Sequence, residues 1–132
     1  MSNINGTVLA FDFGLKHIGV AVGQTITQTA NPLTTLEARN GTPRWADIEH
    51  LSAEWRPVCL LVGLPLNMDD SESVMSGHAR NFARKLQARL GLAVEMVDER
   101  LTSHAARDSD QPHATAAALI AETWLSDRVK HR

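Results

Sequence analysis

The stretch Thr7–Gly23, TVLAFDFGLKHIGVAVG, carries more structural information than any other part of this chain. Thr7–Asp12 is apolar and closes on an acid, and Gly14 follows almost at once. Ile18–Gly23 is a second apolar run after the short link FGLKH, so the two read as strands of a hairpin. A third strand is expected near Ala30–Glu37. Beyond it, Thr42 and Pro43 look like the N-cap and first position of a helix. Trp45, Ile48, Leu51 and Trp55 recur at helical spacing, which extends that helix over 43–55.

Val58–Leu64 is continuously apolar, as in a strand covered on both faces. GLPLNMDDSES reads as a loop. A helix over 73–90 would bury Ala79, Phe82, Leu86 and Leu90 and stop at Gly91. Leu92–Val97 forms another strand, ending on Asp98 and Glu99. A last helix over 112–126 carries His113, Ala117, Ile120 and Trp124 on one face. The order β-β-β-α-β-α-β-α predicts an α/β domain with a mixed sheet and helices packed on it.

The bulk properties narrow the class. The 132 residues suit one domain able to bury a core without metal or disulfide staples. Cys59 is the only cysteine and lies in VCLLVGLPL, which excludes an internal disulfide and suits a small buried hydrophobe. The N-terminus has no basic, apolar leader pattern, and no run approaches a membrane span. The expectation is a cytoplasmic protein with no membrane partner. Net charge is −2, which gives no global support for a nucleic-acid partner. Residues 1–79 hold four Lys/Arg against eight Asp/Glu, and residues 80–132 hold nine against seven. The modest positive excess therefore sits in the second half.

In an α/β sheet, functional groups gather at the carboxyl ends of the parallel strands. Asp12, Asp98 and Glu99 occupy such ends. Carboxylates there suit a hard divalent cation that completes its shell with water and phosphate oxygens. An acid inside LAFDFG is costly unless paired or metal-bound. On spacing alone, Asp12 serves equally well to cap the turn before Gly14.

Four blocks in order, LAFDFGLKHIGVAVG, LLVGLPLNMDD, VDERLTS and ATAAALIAETWL, resemble the YqgF family. These are RNase H-like proteins related to the RuvC Holliday junction resolvases and associated with 5′-end maturation of pre-16S ribosomal RNA. The resemblance covers roughly residues 7–126. It implies an RNase H-like fold, a five-stranded mixed sheet flanked by helices. It also implies phosphodiester hydrolysis assisted by Mg²⁺ or Mn²⁺. By position, Asp12 matches the family's first-strand acid, and Asp98 and Glu99 match its acidic pair. Glu99 then becomes the second metal ligand, with Asp98 fixing the turn or bonding Arg100.

Two departures from the family stand out. The last helix begins on His113 where the family has Asp, although imidazole also ligates Mn²⁺. Alternatively, His113 heads the helix's core stripe. Asp110 either replaces the lost carboxylate or caps the helix. The basic, glycine-rich segment before that helix is cut to HAARDSDQP, which removes phosphate contacts.

Lys16, Asn67 and Arg100 flank the acids and are the candidates for nucleic-acid contact. Asp69 is a further acid or a turn residue. Arg80, Arg84, Lys85 and Arg89 read as a solvated helix face. His17 stands at a variable family position from which nothing firm follows. His50, His78, His104 and His131 read as surface residues.

The expected function is a metal-dependent nuclease acting on structured RNA, a ribosomal RNA precursor by resemblance, free or within precursor particles. A Holliday junction resolvase acting on branched DNA is the related alternative, and it requires a dimer. A binding module that has lost catalysis is the third. The string DFG-x-x-x-x-G-V-A-V also resembles the first phosphate loop of actin-like ATPases, but those need two lobes, and this chain holds one.

Overall fold

The computed structural model describes residues 5–99 and 110–130. Six strands form one sheet in the order β4-β3-β2-β1-β5-β6. β1 (Thr7–Asp12), β2 (His17–Gln24) and β3 (Thr29–Arg39) make an antiparallel meander. β5 (Cys59–Leu64) pairs parallel with β1, and β6 (Val94–Asp98) pairs parallel with β5. α1 (Trp45–Trp55), α2 (Val74–Leu90) and α3 (Pro112–Lys130) complete the α/β architecture.

The expected five strands become six through β4 (Thr42–Pro43), two residues paired with Ala38 and Arg39. This also corrects the expected start of the first helix. Thr42 and Pro43 are extended, and α1 begins at Trp45 with Arg44 in the N-cap position and no side-chain cap. Pro at this place takes an edge-strand role, where its missing N–H costs nothing. α3 runs four residues beyond the expected Ser126, to Lys130.

Alternation along the strands divides the core in two. Leu9, Phe11, Ile18, Val20, Leu60 and Val62 face α1 and α2. Val8, Ala10, Ala21, Cys59, Leu61 and Val97 face α3. The α3 face is built from small residues: Ala117, Ala118 and Ala121 on the helix share one cluster with Ala10 and Ala21 on the sheet, and Ala114 of the same helix is also buried. Small side chains let the helix approach closely, and this brings its first turn down onto the end of β2.

Phe82 of α2 anchors the other face. Its ring meets three others, Phe11 edge-to-face at 5.7 Å, Phe13 tilted at 5.2 Å and Trp45 stacked at 5.8 Å between centroids. Phe11 and Phe13 both flank Asp12 and both turn toward α2. The residue between them is thereby directed to the α3 side. On that side, further down the sheet, Trp124 donates its indole N–H to Glu95 at 3.0 Å and ties α3 to β6. Cys59 is buried beside Glu95, and burial pushes its thiol up to about 11, with the Glu95 charge adding to the effect. This matches its reading as a small hydrophobe.

Candidate active site

Parity along the strands assembles the site. Asp12 continues the Val8, Ala10 series, Gly63 continues Cys59, Leu61, and Glu99 continues Glu95, Val97. All three therefore point to the α3 side, at the end of the sheet where the parallel strands β1, β5 and β6 finish. β5 separates β1 from β6, so Asp12 and Glu99 must reach across it to meet.

Gly63 makes that reach possible. A Cβ built there would strike Glu99 Oε2 and Ile120 Cδ1. Glu99 folds back over the bare backbone and hydrogen-bonds Asp12. The opposite flank is arranged alike. Gly19 of β2 pairs directly with Asp12, and a Cβ at Gly19 would collide with the carbonyl of His113. One glycine thus admits the Glu99 carboxylate and the other admits the start of α3.

Electrostatics follow from this packing. Burial raises Asp12 above the usual carboxylate range, while the hydrogen bond from Glu99 and the charge of His113 work the other way. Glu99 is pushed up to about 8, first by burial and then by the charge of Asp12, the proton it donates to Asp12 and the charge of Asp98. Two half-buried carboxylates in contact must share either a proton or a cation. The donor chemistry, two carboxylates with an imidazole alongside, fits a hard divalent ion that keeps several water positions. Among the described residues, no three His, Cys, Asp or Glu side chains gather into a closed cage. An ion bound by one or two carboxylates plus phosphate oxygens needs no such cage.

The remaining sequence candidates fall as follows. Asp98 ends β6 with the parity of Val94 and Met96, so it lies on the face opposite Glu99 and acts on it through space. Lys16 is exposed in the β1–β2 turn, which is pinned to β3 by the bond from Ala38 N–H to the Lys16 carbonyl at 2.8 Å. Asn67 is exposed but built into a tight turn: its N–H donates to the Ser71 carbonyl and its side-chain amide to Ser71 Oγ, both at 2.9 Å. Asp69 is a turn residue, accepting from the Ser71 N–H at 3.0 Å and from its hydroxyl.

The α2 arginines behave as a solvated face. Arg80 grips Glu72 through two nitrogens, and Arg89 meets Glu49 at 3.6 Å while lying over Trp45. His50 and His78 are exposed. Arg100, His104, His131 and nearly all of the shortened segment before α3 lie outside the described residues.

Nothing firm followed from His17 in the sequence, and Gly19 and Gly63 did not stand out there as site residues. The His17 ring stacks on that of His113, with centroids 4.9 Å apart and planes 21° from parallel. Parity held the signal: positions 17 and 19 share the face of Asp12 once the hairpin register pairs Asp12 with Gly19.

This sheet order, with three carboxyl-terminal strand ends converging on an acid pair, is that of an RNase H-like nuclease fold. A family model described as "RuvX: Holliday junction resolvase" matches residues 6–127, and the chain belongs to that family, a group of phosphodiester hydrolases. It is 48% identical to a Nitrosococcus oceani protein named "Putative pre-16S rRNA nuclease", over 92% of this chain and 87% of that one. A relative of the same name from Enterobacter sp. strain 638 is 51% identical over 88% of this chain and 84% of its own length.

Among solved structures, Thermus thermophilus RuvC in complex with a Holliday junction substrate superposes with a TM-score of 0.62 at 16% identity, covering 94% of this chain and 96% of that one. The yeast mitochondrial resolvase Ydc2 gives 0.54 at 12% identity, over 94% and 80%. These two establish the fold. Membership in a RuvC-like nuclease family implies dependence on a divalent cation and a nucleic-acid partner. No described helix is long and apolar enough to cross a membrane.

Proposed function

We propose that this chain, as one RNase H-like domain over residues 1–132, is a divalent-metal-dependent nuclease that trims the 5′ end of pre-16S ribosomal RNA in the cytoplasm. The observation that carries the reading is the Asp12–Glu99 carboxylate pair, held in contact across Gly63 on the α3 side of the sheet. The names of the relatives support the substrate.

Asp12 and Glu99 would hold the cation, Mg²⁺ or Mn²⁺, with His113 beside them as a third contact. A bound ion would neutralise developing charge on the phosphodiester and lower the pKa of an attacking water. The chain's own work is positional. The Phe11–Phe82–Phe13 contacts fix the direction of Asp12, and Gly63 lets Glu99 reach it. In the alternative to that contact, His113 would hold or deliver a proton at the leaving oxygen. Asp98 lends charge to Glu99 rather than a ligand atom. Lys16, and Arg100 by sequence, would contact backbone phosphates, and Asn67 would shape the wall they face.

The family description and the RuvC fold favour a second reading, cleavage of four-way DNA junctions. The two separate in one assay. Purified protein is incubated with a 5′-labelled pre-16S fragment and with a labelled four-way junction, each with Mg²⁺, Mn²⁺ or EDTA. Metal-dependent RNA trimming supports the main reading, and paired symmetric nicks in the junction support the second. Binding without cleavage of either would leave a nucleic-acid or ribosome-assembly module.

A further inference from the structure

His17 lies outside the acid pair, yet among the described residues it makes the closest ring contact of the site. Parity puts its side chain on the α3 face of β2, two residues from Gly19, whose partner in β1 is Asp12. The backbone of His113 is fixed, since its carbonyl rests on Gly19. That contact involves its backbone and not its imidazole. His113 is half-buried in the first turn of α3, where the helix opens toward the end of the sheet. Among the described residues, the ring that meets it is that of His17, nearly parallel at 4.9 Å between centroids.

We propose that His17 is a positioning residue: by stacking on His113 it holds that imidazole over β2, beside Asp12, where substrate phosphate enters. This rests on the active-site reading above. Offset stacking of this kind selects one ring orientation among the staggered alternatives open to a half-buried His. His17 is itself exposed at the start of an eight-residue strand whose core lies deeper, so its removal costs little folding energy. The role also explains how a helix that begins with His, in place of the family's Asp, retains a directed side chain. A carboxylate could reach a neighbouring ion by charge alone, whereas an imidazole must present one particular nitrogen along its ring plane.

The test compares His17→Ala with His17→Phe in the full chain. The first readout is the shift of the His113 ring protons in NMR spectra of metal-free protein, where the face of a stacked ring shields its neighbour. The second is single-turnover cleavage of the pre-16S fragment with Mn²⁺. His17→Ala is expected to move the His113 resonances downfield and slow cleavage about 3–10-fold. His17→Phe keeps the flat partner and should restore both, to within about twofold in rate. Unchanged His113 resonances in His17→Ala would overturn the proposal. So would a His17→Phe enzyme as slow as His17→Ala, since that would assign the effect to an imidazole nitrogen. If wild type cleaves nothing, the nuclease reading fails while the NMR comparison still decides the stack.

Discussion

The carboxylate of Glu99 lies over the α-carbon of Gly63, in space that any side chain at position 63 would fill. That single gap lets the acid that follows β6 meet an acid on β1 across the strand between them. Replacing Gly63 with Ala should therefore act on the site before it acts on the fold. The new methyl must displace Glu99 or Ile120, at a cost of about 1–3 kcal/mol. Thermal melting should show that loss, and cleavage should fall by about 10²-fold or more as the carboxylates part.

Gly19 makes the contrasting case. Its missing Cβ faces the main chain of His113, which cannot rotate away. Gly19→Ala pushes the first turn of α3 off the sheet. The expected stability loss is about 2–4 kcal/mol, larger than for Gly63→Ala. Urea denaturation of the two variants side by side checks the order.

The acid pair should be destabilising without an ion. Glu99 has a folded pKa of about 8 against an ordinary value of 4.5. The folded state therefore binds more protons than the unfolded state between those values, and stability falls as pH rises through that window. Its contribution is intact below about pH 4.5 and lost above about pH 8. Glu99→Gln removes the effect, so metal-free Glu99→Gln should be more stable than wild type by about 1–3 kcal/mol at pH 8 and nearly equal at pH 4.5. Melting curves at the two pH values, with EDTA present, measure it. Saturating Mn²⁺ should erase the advantage by stabilising wild type alone.

Phosphate contacts should come from the turn and not from α2. Arg80 and Arg89 are each engaged with an acid, Glu72 and Glu49. Arg80→Ala with Arg89→Ala should leave RNA affinity within about twofold. Lys16→Ala should weaken binding and lower the slope of log affinity against log salt by about one. Filter binding across a salt series distinguishes them.

Much of the scaffold was legible in the sequence because its signals are local. The β1 boundaries, Thr7–Asp12, follow from one apolar run closed by an acid and a turn. Helix α2 follows from a buried stripe that stops at Gly91; it begins at Val74, one residue later than expected, because Ser73 stands outside it as the N-cap, paired with Ser76 in a capping box. The start of α1 misled because Thr-Pro is equally at home on a strand edge, and pairing with Ala38 and Arg39 decided it. Asp12 and Glu99 could be named from strand ends and family resemblance. Their mutual contact could not, because it depends on register across three strands and on a glycine in the middle one. The His17–His113 stack was hidden for the same reason: it joins residues 96 positions apart through the hairpin register and the close approach of α3.

The most direct test is a calorimetric titration of Mn²⁺ into metal-free wild type, Asp12→Asn, Glu99→Gln and the double variant. If the two carboxylates hold one ion between them, wild type binds Mn²⁺, each single substitution weakens binding at least about tenfold, and the double variant is little worse than either single. Mn²⁺ binding that is unchanged by both substitutions, or that falls by independent additive steps at two sites, would contradict the shared Asp12–Glu99 centre.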